Sequence, residues 1–233
     1  MPRLFRSRAR DTAMTQTAAF FRVEGTLTER TALAAAAWLA SNAQGLGERF
    51  ARLGNVAIAA PFRLAGELQT GAAATRMTWM GLRGMSEDRL VLLCEEYFEK
   101  YVKDDVLEVG AELVKQAKKQ GRRVVLISDN VDLLIAPLAE QLGADDVVCN
   151  RLEMRKHKAT GRLEDPVIGG NVAGQWARAF AAEHGIDLGD SWAYGASAAD
   201  SLLLSAIGQP CVVNPDRQLR RLAKDHDWPV VEK

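Results

Sequence analysis

AFFRVEGTLTER, residues 19–30, is the stretch on which the fold turns. An apolar run beginning at Ala18 ends among the charged residues Arg22 and Glu24, and Gly25-Thr26-Leu27 follows. Such a run predicts a buried strand over 18–23 that delivers polar side chains to its carboxyl tip and then turns. Two later apolar runs have the same form. "RRVVLIS" (122–128) leads into Ser128–Asn130, and "SWAYG" (191–195) leads into Ala196–Asp200.

Between the first strand and about residue 104 the chain reads as almost wholly helical. Ser86, Glu87 and Asp88 form a helix start, and Leu90, Val91, Cys94, Tyr97, Phe98 and Tyr101 recur at helical spacing. From there helices and strands alternate. "LEVGAELVKQAKKQG" is an amphipathic helix stopped by Gly121, "VDLLIAPLAEQLGA" a helix, and "DVVCN" (146–150) a strand. "NRLEMRKHKATGRLED" predicts a hairpin turning near Gly161. Helices over about 171–185 and 199–206, the strand "CVVN" and a last helix from Asp216 complete the series. Continuous apolar strands alternating with helices predict an α/β fold with a parallel sheet covered on both faces, whose ligands bind at the strands' carboxyl ends. The expected domains are a basic tail over 1–17, disordered, an α/β core over 18–28 and 104–233, and a helical cap over 29–103.

The 233 residues suffice for such a core, and thirty basic against thirty acidic side chains exclude a global pull toward nucleic acid. Cys94, Cys149 and Cys211 are widely spaced in apolar surroundings and read as reduced core thiols, which makes the cytoplasm the default compartment. The alanine-rich 31–40 is too short to span a bilayer, and the arginine-rich start is followed by no signal-length apolar run, so no membrane span is expected. A translation start at Met14 is an alternative to Met1.

These tips, in this order, resemble the haloacid dehalogenase (HAD) superfamily, and within it the phosphoserine-phosphatase-like branch with a helical C1-type cap inserted after the first motif. The resemblance covers roughly residues 18–231 and includes the tail "GQPCVVNPDRQLRRLAKDHDWPVV". It implies a Rossmann-like sheet and a phosphatase chemistry of known parts. One aspartate attacks phosphorus, and a second, two positions on, protonates the leaving oxygen. A hydroxyl and a lysine hold the phosphoryl group, and further acids bind Mg²⁺.

Carried onto this chain, the nucleophile position falls on Arg22 and the acid/base position on Glu24. The phosphate-binding hydroxyl falls on Ser128, and the lysine, in "IGGNVAGQW", on Val172. The two metal-binding acids, in "YGASAADSLLL", fall on Ala196 and Asp200. A guanidinium is no nucleophile and stays protonated. Arg22, Glu24 and Asp200 sum to −1, a charge that demands no metal, so Arg22 is expected to take the metal's space and pair with Asp200 or Glu24.

The reading that follows is a catalytically inactive pseudophosphatase, a vestigial site on a binding, regulatory or assembly protein. Its expected partner is a protein reached through the helical cap, with a small anion meeting Arg22 and Ser128 and no cofactor. The alternative is a Mg²⁺-dependent phosphomonoesterase with atypical residues. Beside these, Asp129 is read as a helix cap, Lys156 and Lys158 as a solvated hairpin, and His157, His184 and His226 as surface groups. Trp38 and Trp79 are read as core or interface, and "DRQLRRLAKDHD" as a solvated helix.

Overall fold

A computed structural model describes residues 16–42, 67–169 and 172–232, side chains of 67–71 apart. The expected disordered tail lies outside these residues up to position 15. Gln16 and Thr17 belong to the fold, because Gln16 bridges Ile186 and Thr17 O accepts from Arg123 N at 3.0 Å.

The first strand, β1, is Ala18–Arg22, and every residue in it is buried. Helices α1 (Ala32–Ser41), α2 (Glu67–Trp79) and α3 (Glu87–Tyr101) follow, with a 3-10 turn at Met80–Leu82. The alternating part then runs α4 (Glu108–Lys119), β2 (Arg123–Val131), α5 (Asp132–Leu142), β3 (Asp146–Asn150), β4 (Leu152–Arg155) and β5 (Lys158–Leu163). It ends with α6 (Ala173–His184), β6 (Trp192–Gly195), α7 (Ser201–Leu204), β7 (Gln209–Val213), α8 (Arg217–Asp225) and β8 (Val230–Val231). Six strands form one sheet in the order β3-β2-β1-β6-β7-β8, and every pairing in it is parallel. This is the HAD-like α/β fold that the resemblance implies.

Strand period two divides the core into two layers. Ala19, Phe21, Val124 and Leu126 point to one face, against Leu90, Val114 and Leu138. Ala18, Phe20, Val125 and Ile127 point to the other, against Ala177, Leu203 and Leu219. Phe21 stacks on Tyr194 with ring centroids 4.3 Å apart. Among the described residues, Trp79, Leu82, Leu90 and Leu93 join the same buried cluster as Phe21 and Leu126. Near the boundary expected at residues 28 and 104, Thr28 bridges Val106 and Leu107 N donates to Leu27 O at 2.9 Å. The expected helix content of 43–66 lies outside the described residues.

Trp79 is fully buried, which settles its reading as core. Trp79→Ala is expected to cost about 3–5 kcal/mol, read as a lower urea midpoint at unchanged slope. A loss below about 1 kcal/mol would mean that the helices are packed less tightly on the sheet than described.

Two expectations are corrected, and one strand was not anticipated. The hairpin turns at Lys156 and His157, whose φ values of 49° and 57° form the reversal, while Gly161 sits within β5. Glycine is needed there because a side chain would collide with the 3-10 turn: an added Cβ would lie 2.8 Å from Arg83 Cβ. Strand β2 runs on to Val131, with a register shift after Ile127, so Ser128–Asn130 lie within its end. The short strand β8, missed in the sequence because it has only two residues, closes the sheet edge beside β7.

Candidate functional site

The chain moves outward from β1 to β2 and β3, then returns to β6 on β1's other side. The carboxyl ends of β2, β1 and β6 therefore flank a topological switch point, the place where such sheets hold ligands. Arg22, Ser128 and Gly195 stand there.

Arg22 ends β1 and is 4% exposed. Its Nη2 donates to Asp129 Oδ1 at 2.9 Å and lies 3.4 Å from Glu24 Oε2. Its Nε sits 2.8 Å from Asp200 Oδ1, in ion-pair contact without hydrogen-bond alignment. Both pairings expected of Arg22 are present. A third partner, Asp129, was misread in the sequence as a helix cap. Helix α5 begins at Asp132 after Val131 with no side-chain cap, because the β2 irregularity turns Asp129 inward.

Glu24 is the second organising group. Its Oε1 accepts from Ser128 Oγ at 2.5 Å, Asn130 Nδ2 at 2.8 Å and Asp129 N at 3.2 Å. Ser128 Oγ accepts in turn from Asn130 N at 3.0 Å. Asp200 Oδ2 accepts from the amides of Ala196 and Ser197, both at 2.9 Å, closing a capping box with Ser197. Gly25, at φ +85°, makes the turn after Glu24 and leaves room for Ala196; an added Cβ would stand 2.6 Å from Ala196 Cβ. Arg22, Glu24, Ser128 and Asp200 thus form one cluster, with Ala196 against its turn. Val172 starts α6, half-buried, and brings no charge.

Asn150 was not singled out in the sequence. It is buried, and its amide donates to Asp129 O and Ile168 O at 2.9 and 2.8 Å while its Oδ1 accepts from Ile168 N. It pins the backbone that carries Asp129. Its one sequence signal is a polar residue closing an apolar strand.

Burial by itself lowers the pKa of the Arg22 guanidinium, but Asp129, Asp200 and Glu24 outweigh it and hold it above the ordinary arginine value. Burial pushes the Glu24 carboxyl above the ordinary range, and the nearby Arg22 charge and the Ser128 hydroxyl only partly offset this. With Asp129 included, three carboxylates face one guanidinium, formally −2, which revises the −1 read from the sequence. Among the described residues, this cluster has no cation to spare for the small anion expected at Arg22 and Ser128, and the Ser128 hydroxyl is already given to Glu24.

The resemblance also implies Mg²⁺ at this point. The donors do not fit it. One Asp200 oxygen faces Arg22 and the other is taken by two amides, Ala196 offers no side-chain donor, and Arg22 brings a cation of its own. Among the described residues no group of three His, Cys, Asp or Glu side chains is arranged to hold a metal ion.

The bland readings fare as follows. Lys156 and Lys158 are exposed on the hairpin. Of the three histidines, His157 pairs with Glu87 at 3.0 Å, His184 stacks on Phe180 and His226 stacks on Trp228. All three cysteines are free, and burial pushes the Cys94 and Cys149 thiols up to about 12. Among the described residues no helix is long and apolar enough to cross a membrane.

Residues 19–205 match the family of haloacid dehalogenase-like hydrolases. A protein of Streptomyces azureus named "Inhibition of morphological differentiation protein" is 32% identical over 151 residues, 64% of this chain and 54% of its own length. A phosphoserine phosphatase of Mycobacterium tuberculosis is 29% identical over 180 residues, 76% of this chain and 58% of its own. The chain thus spans little more than half the length of these relatives. Among solved structures, a Bordetella pertussis protein of unknown function superimposes with a TM-score of 0.80 at 24% identity, over 93% of this chain and 98% of that one.

Proposed function

The chain belongs to the haloacid dehalogenase-like hydrolases and is phosphoserine-phosphatase-like, and from that premise we propose that its catalytic centre has become a buried ion-pair cluster that supports binding rather than hydrolysis. The observation that carries this reading is Arg22 at the tip of β1, ringed by Glu24, Asp129 and Asp200. The first step of the family's chemistry needs a carboxylate oxygen at that tip, and a guanidinium has no lone pair to offer. Ser128 is held by Glu24, and neither Val172 nor Ala196 supplies the missing charge. On this reading the chain is a binding, regulatory or assembly protein, and the helical cap expected over 29–103 is the surface proposed for a protein partner.

The second reading is a phosphomonoesterase with atypical residues. The names of the relatives favour it over the first, since several are phosphatases acting on phosphoserine or histidinol phosphate by name. It requires a nucleophile other than the residue at position 22, with Ser128, Asp200 and Glu24 still serving the chemistry.

An assay separates the two. The purified chain with p-nitrophenyl phosphate and millimolar Mg²⁺ is expected to show no turnover above the blank. Turnover that disappears in both Ser128→Ala and Asp200→Ala would establish the second reading and end the first. Turnover that survives both changes would belong to a contaminant.

A further inference from the structure

On one side the six-stranded sheet ends at β3, whose neighbour within the sheet is β2. Half of a strand's backbone groups point away from such a neighbour, so β3 carries an open row of N–H and C=O groups along its outer side. Its first four residues are half-buried, whereas β1 is buried throughout.

A groove of about 430 Å³ runs along this edge. Three successive residues of β3, Val147, Val148 and Cys149, line it. Neighbouring strand residues alternate faces, so the groove lies across the edge and not on one face of the sheet. Trp176 and Phe180, one turn apart on α6 and both half-buried, make an apolar wall, and Asp132 and Ala136 of α5 line the groove from the other face. An open strand edge beside aromatic side chains suits an extended peptide added as a further strand, with backbone bonds giving affinity and side-chain pockets giving selectivity.

The rim is acidic. Asp165 is paired with Arg76, and Asp132 lies 3.8 Å from Arg151, but Glu164 and Glu183 have no ion-pair partner among the described residues. Burial pushes the Asp132 carboxyl up, and the nearby Glu164 charge adds to the rise. A basic segment therefore matches the rim, whereas the β3 edge of a second copy would bring the same acids against these.

Residues 1–15 of this chain have that chemistry. They hold Arg3, Arg6, Arg8 and Arg10 against one acid, Asp11, with the apolar Leu4 and Phe5 among them. In an extended segment Arg6, Arg8 and Arg10 share one side. The segment joins the fold at Gln16, ahead of β1, and β1 lies two strand spacings, roughly 10 Å, from β3. Arg123 links that point to the groove. Its N donates to Thr17 O at 3.0 Å, and its guanidinium stands 5.6 Å from the ring centroid of Phe180. Fifteen extended residues span up to about 50 Å, ample for the path. Entering from the amino end of β1, which is parallel to β3 within the sheet, the segment would run antiparallel to β3.

We propose that residues 3–10 occupy this groove as a strand added antiparallel to the outer edge of β3. The assignment is independent of whether the β1 tip is catalytic.

Amide hydrogen exchange of the full chain, resolved by NMR, tests it. The amides of 146–149 that do not pair with β2 are expected to exchange slowly, at rates independent of protein concentration. Arg6→Glu with Arg8→Glu and Arg10→Glu is expected to speed them at least about tenfold, while the amides of β1 and β2 keep their native rates. Glu164→Lys with Glu183→Lys, both exposed, should act in the same way, and raised salt in the same direction. Fast exchange of these amides in the native chain, or slow exchange that both sets of changes leave as it was, would overturn the proposal. Protection that grows with protein concentration would assign the edge to a second copy and overturn it equally.

Discussion

Arg22→Leu is expected to lower the stability of the fold by about 3–5 kcal/mol at neutral pH, the range for removing one partner from a buried ion pair. Leucine fills much of the volume, so the loss comes from charge: Glu24, Asp129 and Asp200 remain with no guanidinium between them. Urea unfolding of the variant beside the native chain measures it. The pH dependence identifies the cause. Burial raises the pKa of Glu24 in the folded state, so its contribution to stability is fully present below the ordinary carboxylate pKa and is lost as pH rises through the raised folded value. Arg22 pulls that value down, and removing it extends the loss to higher pH. The deficit of Arg22→Leu should therefore shrink on acidification below the carboxylate range, and Glu24→Gln added to it should recover part at neutral pH. A deficit that is flat with pH would mean that packing, and not the carboxylates, sets the cost.

Arg22→Asp is expected to exchange the internal cation for an external one. Four acidic side chains would then meet at the switch point, repelling one another until a divalent ion enters. The variant's melting temperature should rise with Mg²⁺, by roughly 5–10 °C at a hundredfold excess over the dissociation constant, from about 2.7 kcal/mol of linkage in a chain of this size. The native chain should show no such rise, because its guanidinium already lies 2.8 Å from Asp200. A comparable Mg²⁺ shift in the native chain would sink the idea that Arg22 substitutes for the ion. Turnover is expected to stay absent in Arg22→Asp, since Val172 and Ala196 are unchanged.

Much of the fold was legible in the letters because its signals are local. "AAFFRV", "RRVVLIS" and "SWAYG" are apolar runs whose length and flanks mark buried strands, and the helix stop at Gly121, with φ +72°, was read correctly. The hairpin turn was misplaced because lysine and histidine rarely take positive φ, and the nearest glycine drew the assignment. At the site, Arg22 with Glu24 or Asp200 could be anticipated from the order of the tips. Asp129 could not, because its inward turn depends on an irregularity in β2 and on Asn150 holding its carbonyl.

The sequence by itself determined which side chains stand at the carboxyl tips of β1, β2 and β6, and hence that no aspartate occupies the first of them. That information is carried by residue type and short-range periodicity. Only the tertiary structure decided that three carboxylates, up to 178 residues from Arg22 along the chain, converge on its guanidinium, and that β3 stands at the edge of the sheet with Trp176 and Phe180 beside it. Such partnerships follow from sheet order, register and close backbone approach, quantities set by the packing of the whole chain and by no neighbouring letters.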